Sequence, residues 1–404
     1  MGRLVGLAAR NLARNRRRTL LTLAALAVGV MAVVGVRGFL NGLQGMLIGG
    51  VAEGTIGPVL VHRTGYLQSM ESNPLTPNIL LTPDLLARLR AVPGVTAVSP
   101  RLGFAGMASV GDETVFAIIS AVDESQEPTV CPRRREYLAE GDWLQPGRDD
   151  AVMGMEIARG VGAKAGARLA LISGDAEGVM NAVDVTVRGF SAAAAQMERR
   201  SVVIPLRKGQ ELLRLEGRAT EIALGVTDLS DVEAVRDRVA AVVGPGFEVS
   251  TWKDVATTVR DVQATQNAAL DLITFIFMAI MLMGIANTLL MSVLERVREI
   301  GTMLAVGTRR RQILGLFLWE ALMLGVLGAT LGALLGFGVV QLLAVKGVML
   351  QPPGASLPQK IIPVIHVVFM VRMVALSAAG AAVAAVYPAW KAAGLRPVQA
   401  LAAV

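Results

Sequence analysis

Residue types that commonly do chemistry are scarce in this chain of 404 residues, which contains one cysteine and two histidines. The single thiol, Cys131, excludes an internal disulfide and a zinc site built from cysteines, and two histidines are too few for a histidine-rich metal centre. No G-x-x-x-x-G-K-S/T phosphate loop occurs, and the glycine-rich stretch 160–166 lacks the closing Lys-Ser/Thr pair, which indicates a turn. Since no carboxylate pair stands out as an acid and a base, the sequence predicts a chain without catalytic residues, metal or cofactor of its own.

The densest group of charges, residues 297–313 (VREIGTMLAVGTRRRQI), lies between two uncharged runs. An arginine at the centre of a bilayer costs about 2.5–3.5 kcal/mol, so these charges are expected outside the hydrocarbon. Apolar residues recur in the stretch at helical spacing, and they are Val297, Ile300, Met303 or Leu304, and Val306. This pattern predicts a short amphipathic helix, which Gly307 would end in a left-handed conformation and after which Thr308 would cap the next helix. The spacing leaves open whether the segment is a basic stop-transfer loop, rests on lipid or docks a partner protein.

Four uncharged runs are long enough to cross a hydrocarbon layer of about 30 Å, which takes about 20 residues in a helix. They are residues 19–36, 272–294, 321–345 and 373–390, and the last could extend upstream through 361–371. A composition of 53% hydrophobic and 18% charged residues agrees with a membrane protein. A cleaved signal peptide is the alternative for the first run, but signal cores are shorter and a cleavage site is not obvious. The sequence therefore predicts four transmembrane helices.

Lysine and arginine are concentrated before the first run, around the second-to-third connection and after the last run. Because positive charges favour the cytoplasmic side, both termini and the loop 295–312 are predicted to be cytoplasmic. Topology then accounts for most of the net charge of +7, which removes the support for binding of nucleic acid. In the first fifteen residues, apolar side chains including Leu7 lie opposite arginines including Arg10, which predicts an interfacial helix.

Residues 41 to about 265 change to a pattern of short β-like runs and capped helices, which predicts a folded domain outside the cytoplasm. The predicted strands are residues 58–63, 114–122, 168–173, 183–190, 201–205 and 221–226. Thr82 and Pro83 predict a helix start, and Ser230 is predicted to cap a second helix. The polar segment 251–272 is predicted to be a helical stalk that runs straight into the second crossing. The fold class is thus an α-helical membrane protein with four transmembrane helices and a large α+β extracytoplasmic domain inserted between helices 1 and 2, divided as 1–45, 46–250 and 251–404.

Several residues in the predicted membrane helices have chemistry that requires an explanation. Glu320 is either a functional acid or a partly hydrated contact that stabilises a helix pair near the inner leaflet. Gly328, Gly332 and Gly336 have the G-x-x-x-G spacing of close helix packing, inside a protomer or at a dimer interface. The methionines of the second crossing serve either as packing or as an adaptable surface for acyl chains. The candidate substrate-binding residues are Phe39, Met46, Phe275, Met278 and Met281.

Segments at both ends of the chain resemble the MacB/LolCE/FtsX superfamily of ABC transporter permeases. They are RVREIGTMLAVGTRRRQILGLFLWEALMLGVLGATLGALLG (296–336), YPAWKAAGLRPVQAL (387–401) and RNLARNRRRTLLTLAALAVGV (10–30). Three further segments, at 57–67, 140–172 and 202–213, resemble the lipoprotein-releasing LolC/LolE branch of that superfamily.

The resemblance implies a permease that works as a dimer, with a second permease that is identical or homologous and with two copies of a separate ABC ATPase that holds ATP and Mg. It implies a location in the bacterial inner membrane, a lipoprotein substrate that could be passed to a periplasmic chaperone, and a mechanism called mechanotransmission. Residues 297–307 would then be the coupling helix, seated in a groove of the ATPase. The coupling residues implied are Arg298, Glu299, Ile300, Gly301, Leu304, Ala305 and Gly307.

Three classes of function remain open at the level of sequence. A transporter subunit fits all of the segments, a membrane sensor would need to signal through the coupling helix, and an intramembrane enzyme lacks a catalytic set. Within the transporters, MacB-like permeases normally carry a fused ATPase and FtsX-like regulators have a smaller outer domain. Lipoprotein release is therefore the leading expectation, with export of another amphiphile or FtsX-like signalling as the alternatives.

Overall fold

The computed structural model describes residues 2–14, 16–69, 75–192, 199–351 and 358–395. It divides into two compact units, which we call the helical unit and the sheet unit. The helical unit contains the residues up to Gln44, Gln263–Val348 and the residues from Lys360 onward. The sheet unit contains Gly45–Val262 and Met349–Gln359.

Helices and strands follow one another along the described chain in this order. They are α1 (Gly2–Arg14), α2 (Arg16–Ala52), β1 (Val59–Arg63), α3 (Tyr66–Ser69), β2 (Ile79–Leu80), α4 (Pro83–Arg90), β3 (Val95–Val110), β4 (Glu113–Val122), α5 (Glu127–Val130), α6 (Arg133–Glu136), β5 (Leu138–Gly141), β6 (Asp150–Gly154), α7 (Met155–Gly160), β7 (Arg168–Gly174), β8 (Met180–Ser191), β9 (Ser201–Pro205), α8 (Leu206–Leu213), β10 (Arg218–Ala219), β11 (Glu221–Val226), a 3₁₀ turn (Leu229–Asp231), α9 (Val232–Val243), β12 (Phe247–Thr251), α10 (Trp252–Val255), α11 (Thr257–Glu295), α12 (Val297–Ala305), α13 (Arg310–Lys346), β13 (Val348–Leu350), β14 (Gln359–Ile361) and α14 (Val367–Ala393).

Four of these helices, α2, α11, α13 and α14, are long and apolar enough to cross a membrane. Each contains one of the four uncharged runs, and each extends beyond it because its flanking polar residues remain helical. Helix α13 is the most enclosed of the four, with 44% of its apolar window buried, whereas α11 has only 11% buried. Helix α13 therefore lies at the centre of the helical unit.

Glycines on one face of α13 allow α2 to approach closely. A Cβ atom at Gly332 would lie 2.5 Å from the carbonyl oxygen of Ala27, and one at Gly328 would lie 2.5 Å from a methyl group of Leu26. Gly336 meets Val34 one turn further along the same pair of helices. The packing interpretation of these glycines is confirmed, and their contact is inside the protomer.

A ten-stranded sheet forms the sheet unit, with the strand order β12-β1-β11-β3-β4-β9-β6-β8-β5 and with β7 paired to β3 and β8. Most neighbours are antiparallel, and β4–β9 and β6–β8 are parallel. Helices α4 and α9 cover β1, β3 and β11 through an apolar core that includes Leu89 and Val235. Helices α7 and α8 cover the other end of the sheet through a second core that includes Phe104 and Leu212.

The six predicted strands are confirmed as β1, β4, β7, β8, β9 and β11. The other four strands of the ten-stranded sheet, β3, β5, β6 and β12, were not predicted from the sequence. Strand β3 carries Pro100, Gly103 and Gly106, which are breaking signals in a single sequence, yet its residues pair with three other strands. Tertiary pairing therefore overrides the local preference.

Two predicted helix caps are wrong, and the predicted stalk helix begins at Thr257 and not at 251. Ser230 does not cap α9, because the Asp228 side chain accepts from the Ser230 N–H at 2.8 Å and a 3₁₀ turn intervenes. Thr308 does not cap α13, since Arg309 occupies the cap position and its N–H donates to the Gln312 side chain at 2.9 Å. The segment 251–272 is not one helix, because Ala256 (φ −90°, ψ 56°) separates α10 from α11. By contrast, the Thr82 cap of α4 is confirmed by a bond of 3.2 Å from the Leu85 N–H.

Candidate coupling helix and its surroundings

Helix α12 is the predicted amphipathic helix between α11 and α13. The helix ends at Ala305, and Gly307 follows with a backbone φ of +99°. Residues other than glycine rarely adopt this conformation. The Gly307 and Thr308 N–H groups donate to the carbonyls of Leu304 and Met303 at 3.1 and 3.0 Å, which satisfies the helix end. The helix and its glycine terminus are confirmed, and its coupling role stays a prediction.

The apolar face of α12 packs on helices of the same chain. Ile300 is 1% exposed and belongs to a core formed with residues of α11, α13 and α14, namely Val293, Ile313, Phe317, Ala389, Ala392 and Ala393. Gly301 is also buried, and Leu304 is half-buried against the same core. The chain itself therefore covers Ile300, and the role of this residue in coupling stays a prediction.

The opposite side of α12 is open to solvent in the described chain. Arg298, Glu299, Ala305 and Gly307 are exposed, and Val306 has 84% of its surface exposed. The seven predicted coupling residues thus separate into an outward group and an inward group of Ile300 and Gly301, with Leu304 between them. Only the outward group is placed where a partner could contact it.

A network of charges attaches α12 to neighbouring helices. Glu299 accepts hydrogen bonds from Arg296, at 2.9 Å, and from Arg14 of α1. Arg296 also lies 3.8 Å from Glu320 of α13, while Arg18 of α2 pairs with a carboxylate at the end of α11, Glu295, at 2.9 Å. The hydrogen bond from Arg296 is the main reason why the pKa of Glu299 lies below its usual value. The i,i+3 spacing of Arg296 and Glu299 was the available sequence signal for this network.

Glu320 borders a small polar cavity in the helical unit. Glu320 is 4% exposed, and its Oε2 atom has no hydrogen-bond partner among the described residues. The cavity has a volume of about 30 Å³, and the residues that line it include Thr19, Thr22, Thr288 and Ser292. Since about 10–15 Å³ of such volume admits one water molecule, the site has room for water that bonds to the free oxygen.

The five candidate substrate-binding residues differ in exposure and in the unit to which they belong, and their binding role stays a prediction. Phe275 is 69% exposed on α11, whereas Met46 is 7% exposed and belongs to the sheet unit. Met281 packs on Gly29 of α2, where a Cβ atom would lie 2.5 Å from the methionine sulfur. Phe39 and Met278 are half-buried, and the Met278 sulfur accepts from the Ser377 hydroxyl at 3.9 Å. For Met281 the structure thus shows helix packing, while Phe275 remains available for an apolar ligand.

A buried ion cluster in the sheet unit was not predicted from the sequence. Arg101 donates two bonds to Glu127, at 2.7 and 2.9 Å, and a third of 3.2 Å to Glu221. Arg134 lies 3.1 Å from Glu127, and Glu221 also bonds to His62 at 3.3 Å. Arg101 lies 26 and 120 residues from Glu127 and Glu221, and His62 lies 159 residues from Glu221, so spacing along the chain gives no signal for these pairs.

The ion cluster fixes the protonation of its carboxylates. Burial alone would raise the pKa of Glu127, but the charges of Arg101 and Arg134 outweigh it and lower that pKa. Burial raises the pKa of the neighbouring Cys131 thiol to about 11, so this thiol is not a ready nucleophile. Among the described residues, no group of three or more His, Cys, Asp or Glu side chains is arranged to hold a metal ion.

Two family models match this chain. The MacB-like periplasmic core domain matches residues 19–242, and the FtsX-like permease C-terminal region matches residues 272–397. The strand-rich part of the first match and the α11–α14 part of the second correspond to the sheet unit and the helical unit described above.

Several curated proteins are similar to this chain over most of its length. The macrolide export ATP-binding/permease protein MacB of Nitrobacter winogradskyi is 28% identical, over 97% of this chain and 59% of the relative. The pyoverdine export ATP-binding/permease protein PvdT of Pseudomonas fluorescens is 25% identical, over 83% of this chain and 50% of the relative. An uncharacterised ABC transporter permease of Methanocaldococcus jannaschii is 24% identical, over 82% of each chain.

The matches therefore span 59% and 50% of the lengths of these two export proteins. The first family model alone covers more than half of the 404 residues. The chain belongs to the MacB/FtsX-like permease superfamily, with a MacB-like periplasmic core domain followed by an FtsX-like C-terminal membrane region.

Proposed function

We propose that this chain is the permease subunit of an ATP-driven ABC exporter in the bacterial inner membrane, with both termini in the cytoplasm. Two permeases, identical or homologous, would assemble with two copies of an ABC ATPase that binds ATP and Mg. The names of the MacB and PvdT relatives, which describe export ATP-binding/permease proteins, support this class of function. The chain itself would transmit force and would not catalyse a reaction.

One observation carries the proposal. Helix α12 joins two candidate membrane helices, and its inner side is locked to the chain while its outer side is exposed. A helix held in this way moves together with α11, α13 and α14 when its outer side is displaced. We propose that the ATPase contacts Arg298, Ala305 and Val306 on that outer side.

We infer that the substrate is amphiphilic and that the outer domain moves it by mechanotransmission. Large apolar side chains on α11 are exposed in the described chain, including Phe275 (69%), Ile280 (62%) and Met283 (72%), and these suit acyl chains or lipid. Release of lipoproteins is a narrower form of this proposal, and it rests on the LolC/LolE-like segments of the outer domain. The resemblance to MacB-type exporters supports the broader form.

The ATPase contact is tested by placing a charge at Val306. The full chain with Val306→Asp should lose a partner ATPase that carries a phosphate loop and co-purifies with the wild-type chain. The affinity should fall about tenfold or more, since about 1.4 kcal/mol suffices for that and an unpaired interfacial charge costs at least as much. Val345→Asp is the matched control, because Val345 is 80% exposed in the same unit at the other end of α13. Wild-type recovery of the ATPase with Val306→Asp would contradict the proposed contact.

The substrate class is tested with the purified complex in lipid. Stimulation of ATP hydrolysis by a triacylated lipopeptide, without stimulation by a macrolide, would support lipoprotein release. The reverse result would support export of a smaller amphiphile. Hydrolysis that responds to neither probe would argue against an amphiphilic substrate.

A further inference from the structure

The turn that follows α2 is held by arginine side chains of the sheet unit. Helix α2 ends at Ala52, and residues 53–56 lead from it towards β1. Arg134 donates from Nε to the carbonyl of Gly54 at 3.2 Å and from Nη2 to the carbonyl of Thr55 at 2.8 Å. Arg101 donates from Nη1 to the next carbonyl, that of Ile56. Three successive main-chain carbonyls of this turn thus have cationic donors, which gives strong and directional bonds.

The two arginines are themselves fixed by one carboxylate. Glu127 is fully buried and contacts both Arg101 and Arg134, while its Oε2 atom also accepts from the Ser99 hydroxyl at 2.7 Å. Arg101 is 2% exposed and Arg134 is 8% exposed. A buried ion pair adds little stability relative to apolar residues of the same volume, so the arrangement is better explained by the positions it specifies than by its stability.

A second, less buried pair holds the same turn from α6. The Arg133 guanidinium lies 3.1 Å from the Glu53 carboxylate. The main-chain N–H of Arg133 donates to the main-chain carbonyl of Glu53, also at 3.1 Å. The Arg133 guanidinium lies over Gly49 of α2, where a Cβ atom would come within 2.3 Å of its Nη2 atom. Ala52, the last residue of α2, is fully buried in the core of the sheet unit. The final turns of α2 therefore belong mechanically to this unit.

A second covalent connection of the sheet unit runs through α10 and α11, and the unit boundary at Val262 lies inside α11. Where the chain leaves through α10, the non-helical Ala256 interrupts the helix before α11 begins. The segment 251–272, which the sequence predicted as a rigid stalk, thus contains a break. Residues 53–56 also lie outside α2, but the N–H groups of Glu53 and Thr55 still bond to the carbonyls of Gly49 and Val51 in its last turn, at 2.9 and 3.2 Å.

We propose that the turn 53–56, held by Arg101, Glu127, Arg133 and Arg134, is a rigid joint that makes the last turns of α2 and the sheet unit one body. In an exporter of the proposed kind, this joint carries the movement of the first membrane helix into the outer domain. That use rests on the proposed function, whereas the rigidity of the joint does not. The four side chains are positioning residues and touch no substrate.

The joint is tested through its half-buried pair, because removing Arg101 or Glu127 would leave a buried charge without its partner and could unfold the domain. Glu53 and Arg133 are 32% and 30% exposed, so Glu53→Gln and Arg133→Gln should fold. In the full chain in lipid nanodiscs, amide hydrogen exchange is measured at Glu53, Thr55 and Ile56, whose N–H groups bond to Gly49 and Val51 carbonyls. Exchange should be about two- to fivefold faster in each single variant, as expected for loss of one partly exposed pair.

Two controls make the exchange measurement specific. The charge-swapped double variant Glu53→Arg with Arg133→Glu should return exchange towards the wild-type rate. Arg236→Gln breaks pairs of α9 at a similar exposure, 31%, and should leave exchange at residues 53–56 unchanged. Unchanged exchange in both single variants, or an equal effect of Arg236→Gln, would overturn the joint.

Transport then tests what the joint does. With a joint that carries movement, the single variants should hydrolyse ATP with their partner while export falls, and the double variant should recover export. Export at the wild-type level despite faster exchange would overturn the transmitting role. A wild-type complex that exports nothing contradicts only the proposed function, since the exchange comparison does not involve the ATPase.

Discussion

Ile300 lies on the buried side of α12, so a substitution there should affect the stability of the chain. Its 1% exposure in the core of α12, α13 and α14 predicts that Ile300→Asp destabilises the chain itself. The cost should be several kcal/mol, because a charge enters an apolar core without a partner. Thermal unfolding of the purified full chain should begin at a clearly lower temperature than for Thr302→Asp, which places the same charge on the exposed side. Equal unfolding temperatures would show that Ile300 is not buried.

Glu221 predicts a loss of stability in acid. Burial alone would raise its pKa, but the bond from His62 and the charge of Arg101 lower it to about 2, from 4.5 for an exposed glutamate. A lowered pKa means that the ionised carboxylate stabilises the fold above pH 4.5, and that this contribution is lost as the pH falls towards 2. Groups that face Glu221 include Arg101, His62 and Tyr66.

The measurement is acid unfolding of the full chain, monitored by tryptophan fluorescence. Stability of the wild-type chain should fall between pH 4.5 and 2, by at most about 1.4 kcal/mol per pH unit for this one proton. Glu221→Gln should be less stable at pH 7 and should show a shallower fall in that interval. An identical slope in the two proteins would remove Glu221 as the cause.

Some residues of the sites could be predicted from the sequence and others could not. Val232, Val235 and Val239 are buried on one face of α9, and their helical spacing is a signal that the sequence itself carries. Arg101, in contrast, lies in a strand and meets Glu127 and Glu221, which are 26 and 120 residues away in the chain. Pairings across a sheet depend on strand order, and a single sequence does not reveal that order.

The close packing of α2 on α13 can be tested by substituting a glycine of α13. Gly332→Leu should force α2 and α13 apart, because its side chain would collide with the Ala27 main chain and with Val30. Overpacking of this kind costs about 1–3 kcal/mol or more. Gly338→Leu is the control on the same helix, since no atom lies within 4 Å of a Cβ there. Thermal unfolding of the full chain in nanodiscs should begin at a lower temperature only for Gly332→Leu, and equal unfolding temperatures would contradict the α2–α13 contact.

Elements were predictable where one physical cause dominates. Long uncharged runs are helical because every backbone polar group must bond internally in lipid, so α2, α11, α13 and α14 were found. Helix ends were less predictable, since several side chains compete for the same cap. At α9, Asp228 starts a 3₁₀ turn before the helix, and this displaces the cap that Ser230 would otherwise provide.

At the scale of the whole molecule, the distribution of positive charge predicts membrane topology. Cysteines introduced at Ser230 and at Arg309, both exposed, should react with a membrane-impermeant maleimide from opposite sides of the inner membrane. The natural Cys131 is fully buried and gives little background. Labelling of both positions from the same side would refute the proposed topology.

The strand order also constrains how the protein is made. Strand β1 lies between β11 and β12, so its pairing is complete only when residue 251 has been synthesised. Until then Val59, Leu60 and Val61, which are fully buried in the finished sheet, lack their neighbours. The apolar helix α11 leaves the ribosome directly afterwards, from Thr257. A nascent chain that stalls or is cleaved before Phe247 therefore leaves the β12-facing edge of this apolar strand unpaired, which favours aggregation or recognition by chaperones and proteases during biogenesis.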